Sequence, residues 1–159
     1  MANQVMNFAR GKIGYYAADA LGLAGANSRL VVVVLEAVEA DDTLNNYDEL
    51  DALIAAAGNT EATSTNYARK QIAAAGVTSS VDDTANTAKA VIDADQTWTA
   101  VAQAGSETWD KLLVCYDADN TAGTDANIVV LTHHDFAVTP NGGDITANFD
   151  QTNGFWGSA

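Results

Sequence analysis

Two short polar runs hold most of the residue types from which chemistry could be made. The first is Asp117-x-Asp119-x-x-x-Gly123-x-Asp125. Carboxylates on a turning loop suit a hard cation such as calcium, which is held by several carboxylate and carbonyl oxygens. The spacing departs from an EF-hand. Glycine falls one position late, Ile128 stands where the bidentate Glu belongs, and the flanking runs have strand character. Asp117, Asp119 and Asp125 are thus calcium candidates by composition, weighed against a plain solvated loop, and no metal site is assigned. The second run is His133-His134-Asp135. Imidazoles ligate metals and move protons. Neighbouring strand residues point to opposite faces, so one ion would need a further ligand from elsewhere to use either ring. Hydrogen-bonded structural histidines are the expectation, with Asp135 able to pair with either.

The remaining candidates are weaker. Asp41-Asp42, Asp82-Asp83 and Asp93/Asp95 are close carboxylate pairs in turn-like surroundings. A general acid needs burial to raise its pKa, and nothing in those surroundings supplies it. No Gly-x-Ser-x-Gly is present, and Ser28, Ser64, Ser79, Ser80, Ser106 and Ser158 lie in loop-like contexts. No glycine loop cradles a phosphate. The chain reads as a non-enzyme without catalytic residues or cofactor. Trp98, Trp109 and Trp156, with Tyr15 and Tyr16, could line a sugar-binding face, but core or subunit packing is the commoner use. Cys115 sits in an apolar run and reads as a buried small hydrophobe.

The two polar runs hang on a pair of apolar ones. Leu112-Leu-Val-Cys-Tyr116 and Ile128-Val-Val-Leu131, the latter continuing to Phe136, read as paired core strands joined by the Asp117–Asn127 loop. Arg29–Ala37 contains four consecutive valines, whose restricted χ1 disfavours helix and suits a pleated sheet. An aspartate at Val32 or Val33 should therefore prevent folding. Phe8–Ala18 reads as a first strand and Asp19–Ser28 as a loop. Leu44, Tyr47, Leu50, Leu53, Ile54 and Ala57 recur at helical spacing and predict one amphipathic helix over about Asn46–Ala57. Asn66–Ile72 reads as a strand, Ala73–Gly76 as ambiguous or a helical turn, and Val81 with Ala90–Ile92 as a hairpin. Asp95–Trp98 and 100–108 read as irregular. Val138–Gly143 reads as a turn, Ile145–Phe149 as a short strand. Short strands at close spacing with one helix predict a mainly β fold, an antiparallel sandwich or barrel. The chain reads as one domain, its ends (about 1–6 and 150–159) extended for subunit contacts.

Charge narrows the partners. The 159 residues carry a formal charge of −14, with 16 Asp against 5 Glu and only seven basic residues. Nucleic-acid binding requires clustered Lys and Arg to displace counterions, and a field this acidic repels DNA and anionic membranes. The N-terminus has no basic start followed by an apolar run, and Leu30–Leu35 is too short to span a bilayer.

Segment order carries a resemblance. Asn7-Phe-Ala-Arg-Gly-Lys12 with Tyr15-Tyr-Ala17, Asn66-Tyr-Ala-Arg-Lys70, Asp95-Gln-Thr-Trp-Thr99, Leu112–Asp117 with Gly123-Thr-Asp125, His134-Asp-Phe-Ala-Val-Thr139 and Asp144-Ile-Thr-Ala147 follow one another. In that order they resemble small structural proteins of tailed bacteriophages. The resemblance implies a non-enzymatic virion component, a decoration (cement) protein on the outer capsid surface, assembled in the host cytoplasm. Its implied partners are the major capsid protein and sister copies, as a homotrimer. Alternatives are a head–tail connector or tail-associated protein, or a carbohydrate- or receptor-binding module.

Overall fold

The structure is a computed structural model, and it describes residues 4–6, 27–82, 84, 87–121 and 123–158. The strand expected over Phe8–Ala18 lies outside the described residues, as do Tyr15, Tyr16, Asp83 and nearly all of the loop before Ser28.

In chain order the elements are β1 (Gln4–Val5), β2 (Arg29–Ala37), α1 (Asp41–Leu44), α2 (Leu50–Ala55), β3 (Thr60–Glu61), β4 (Lys70–Ala73), β5 (Val77–Asp82), β6 (Thr87–Ile92), β7 (Gln96–Trp98), β8 (Trp109–Asp117), β9 (Ile128–Val138), β10 (Ile145–Ala147) and β11 (Trp156–Ser158). Single 3-10 turns occupy Ala74–Gly76 and Asp125–Asn127. The described elements are mostly strands, with two short helices and two 3-10 turns, so the protein is mainly β. Its described strand pairs are antiparallel. The main sheet runs β1-β9-β8-β2-β3, with β4 also on β2, and it stays open. Two smaller sheets, β10-β7 and β11-β6-β5, complete the described fold, and none of the described sheets closes into a barrel.

The valine run forms β2 with the expected bounds, and it lies beside β8 in full register from Arg29↔Asp117 to Leu35↔Lys111. No residue from Leu30 to Leu35 is more than 2% exposed. Alternating side chains serve opposite faces, so burial of consecutive residues means that both faces are covered. Lys111 bonds to α1 on one side, while its neighbour Leu112 lines a cleft together with Ala147 and Phe149 on the other. Each buried valine or leucine stabilises the fold by about 1.5–3 kcal/mol. β8 and β9 pair as expected, from Asp117↔Ile128 to Trp109↔Val138, with two register shifts.

The amphipathic helix is shorter than its spacing predicts. Val130 N–H donates to the Asp48 carbonyl at 3.0 Å, and Glu49 bridges Val129. Residues 48–49 are thereby held extended against β9, and α2 begins only at Leu50. Leu44, Leu50 and Leu53 still reach the core. The strand expected over Asn66–Ile72 is confined to Lys70–Ala73. Asn66 has φ 65°, a left-handed conformation that asparagine tolerates better than most residues, and this turns the chain off the β2 edge. Tyr67 fills the gap: its hydroxyl accepts from Val34 N–H at 3.0 Å and donates to Glu61 Oε1 at 2.9 Å. Gln96–Trp98, expected to be irregular, pairs with β10. Of the terminal segments expected as arms, Gln4–Val5 and Trp156–Ser158 pair within the chain, β1 on β9 and β11 on β6, while 150–154 form a turn in which Gly154 N–H donates to the Asp150 carbonyl.

Candidate functional site

The group with the most chemical potential is one the sequence reading did not single out. Lys111 lies on the central strand β8 with its side chain 1% exposed. Its Nζ is 2.8 Å from Asp41 Oδ1 and 2.5 Å from Asp135 Oδ1. Asp135 stands directly opposite Lys111 on β9, and Asp41 arrives from the first turn of α1. The two carboxylates are 16% and 32% exposed, so water reaches the acids more than the amine. Burial pulls the Lys111 ammonium down, but its bonds to Asp135 and Asp41 outweigh this and hold its pKa above the ordinary lysine value. The same bond from Lys111 holds Asp41 below the usual carboxylate range.

Both histidines stand beside this group. His133 is fully buried, and its Nε2–H donates to Asn45 Oδ1 at 3.2 Å, a second tie between β9 and the end of α1. Its Nδ1 has no hydrogen-bond partner among the described residues. Burial lowers the His133 pKa, and the nearby Lys111 charge lowers it further. His134 shares a 2.8 Å hydrogen bond with Thr132 Oγ1, and burial depresses its pKa to about 4. Both rings are thus neutral at pH 7. His134 opens onto a cleft of about 270 Å³ whose walls include Leu112, Phe136, Phe149 and Phe155. His133 and Asp135 share the Lys111 group; His134 does not join them in a common ligand set.

The acidic loop is tied inward. Asp125 accepts from Arg69 through both oxygens, at 2.6 and 2.8 Å. Arg69 also grips Glu61 through two bonds, 2.8 and 2.6 Å. These bonds, to Asp125 first and then to Glu61, raise the Arg69 pKa and lower that of Asp125. Asp117 Oδ1 accepts from Asp119 N–H, and Asp119 Oδ1 accepts from the Thr121 backbone and hydroxyl. The three calcium candidates therefore turn to three different partners, and Asp117 is buried where an exposed loop was expected. Among the described residues, no group of three His, Cys, Asp or Glu side chains is placed to hold a metal ion.

The other candidates are dispersed. Asp41, read as a solvated turn acid, is instead the Lys111 partner; Asp42 is exposed. Asp93 Oδ2 accepts from Thr78 Oγ1, and Asp95 Oδ1 accepts from Phe149 N–H. Ser64 is 4% exposed and joins Trp109 Nε1, which donates to it, with Glu107, to which it donates. Trp98 and Trp109 are buried, with ring centroids 5.3 Å apart, beside Tyr67 and Phe136. They are core, so they offer no stacking platform for a sugar. Cys115 is fully buried, and burial pushes its thiol far up.

No protein-family model, curated protein or solved structure matches this chain.

Proposed function

We propose that this chain is a non-enzymatic structural protein of a tailed-phage virion, an external decoration subunit that binds the major capsid protein shell and sister copies of itself. The observation that carries the reading is the ordered resemblance of segments from Asn7 to Ala147. The fold is compatible with it. The acidic and imidazole side chains weighed for chemistry are largely engaged in joining elements of the scaffold, as at Asp41, Asp125 and His133. A net charge of −14 suits a protein kept on the outside of a DNA-filled shell.

Quantitative mass spectrometry of purified particles tests the proposal. A decoration subunit is present at a copy number comparable to that of the shell protein. A few copies per particle would make it a connector or tail component, and absence from particles would overturn the virion reading. Light scattering of the free protein tests the implied homotrimer.

A further inference from the structure

We propose that Lys111 and Asp135 close a covalent amide within the chain, with Asp41 relaying protons during its formation. The proposal does not depend on the virion reading.

Placement comes first. A lysine is almost never fully buried, yet Lys111 sits on a central strand with its amine in contact with two carboxyl groups. Asp135 is its direct cross-strand partner, so the pleat holds the amine and the carboxyl together on one face. One carboxylate would balance the ammonium. A second adds negative charge that costs desolvation in an ion pair, whereas condensation needs a second acid to carry a proton.

The chemistry balances without an added reagent. One ammonium proton moves to the Asp135 carboxylate, leaving a neutral amine and a carboxylic acid. The Nζ lone pair then attacks Asp135 Cγ. Asp41 takes a second proton from nitrogen and delivers it to the departing hydroxyl, which leaves as water. A nitrogen–carbon bond forms, a carbon–oxygen bond breaks, and nothing is oxidised or reduced. Asp41 ends as a carboxylate placed to accept from the new amide N–H. In bulk water the charged pair prevails. In the fold the bonds to Asp135 and Asp41 still outweigh burial and favour the ammonium, so the neutral pair is a minor species, and fixed proximity drives its reaction by supplying a large effective concentration. The 32% exposure of the Asp135 side chain gives the released water a way out.

The test is the denatured mass of the full-length chain, with variants first checked for a native β spectrum, because the bond can form only in the fold. The native chain is expected to be lighter than its sequence by one water, with a protease-resistant link between the peptides bearing Lys111 and Asp135. Asp135→Asn should give a product of the same mass as the native one, because ammonia leaves in place of water. Asp135→Ala and Lys111→Arg should keep their full sequence masses, and Asp41→Ala should leave most of the chain unlinked. A native chain that keeps its full sequence mass after prolonged incubation at neutral pH overturns the proposal. So does a water loss that maps to a backbone succinimide or to Asp41.

Discussion

Lys111 and Arg69 pose the same problem in two settings: one cation held between two carboxylates that come from distant parts of the chain. Arg69 solves it at the half-exposed edge, where a planar fork makes four hydrogen bonds to Glu61 and Asp125. Lys111 solves it inside the sheet with a compact ammonium touching one oxygen of each acid. The guanidinium matches carboxylate geometry and is a poor nucleophile, so its node is purely a fastener. The primary amine is less well matched and more reactive. Each node ties a long excursion to the sheet: Arg69 draws in the loop before β9, and Lys111 draws in α1.

The contrast can be broken from either side. Replacing Lys111 with Met keeps the apolar stem but leaves Asp41 and Asp135 facing each other without a cation. The expected loss is the largest, roughly 3–5 kcal/mol in denaturant unfolding. Acid attacks the same region. The folded-state pKa values of His133 and His134 lie below the unfolded 6.5, so the unfolded chain binds protons first. Their contribution is full above pH 6.5 and is lost as pH falls from there toward about 4, where His134 titrates in the fold. For His134 that loss is on the order of 3 kcal/mol, and His134→Gln should flatten much of the pH dependence of the melting temperature over this window. Asp41 and Asp125, whose pKa values are lowered, add their losses only below the ordinary 3.8.

Arg69→Ala should cost less, about 1–2 kcal/mol, because its node is partly hydrated. Arg69→Lys should recover little, since an ammonium cannot replace two forks. Molar salt should shrink the Arg69 effect more than the Lys111 effect, which double titrations of denaturant and salt would show. The smallest change is Tyr67→Phe, about 1 kcal/mol, from leaving Val34 N–H and Glu61 without the hydroxyl between them.

Much of the scaffold can be read from residue order. The valines of β2, the apolar runs of β8 and β9 and the β5–β6 hairpin follow from branching and turn chemistry, because those signals are local. The Lys111 node is not local. A lysine at the edge of an apolar run ordinarily marks where a strand meets water, and Asp41 lies far upstream with no spacing rule joining the two. Asp125 looked like a loop acid because Arg69, its partner, is equally remote. Helical spacing across Tyr47 to Ala57 is real, yet a tertiary bridge at Asp48 and Glu49 takes the first turn away. Trp98 and Trp109 carry no local sign of whether they face a ligand or each other.

The pairing of β2 with β8 has a consequence during synthesis. The valine strand leaves the ribosome about 80 residues ahead of the strand it must lie against, whereas β8 and β9 are neighbours in the chain and can zip at once. β3 and β4 can pair with one edge of this strand earlier, but until β8 emerges the other edge of Leu30–Leu35 is an open, uncharged ribbon of the kind that sticks to other nascent chains. The order of translation therefore leaves this one edge open to other chains until Trp109–Asp117 has been made.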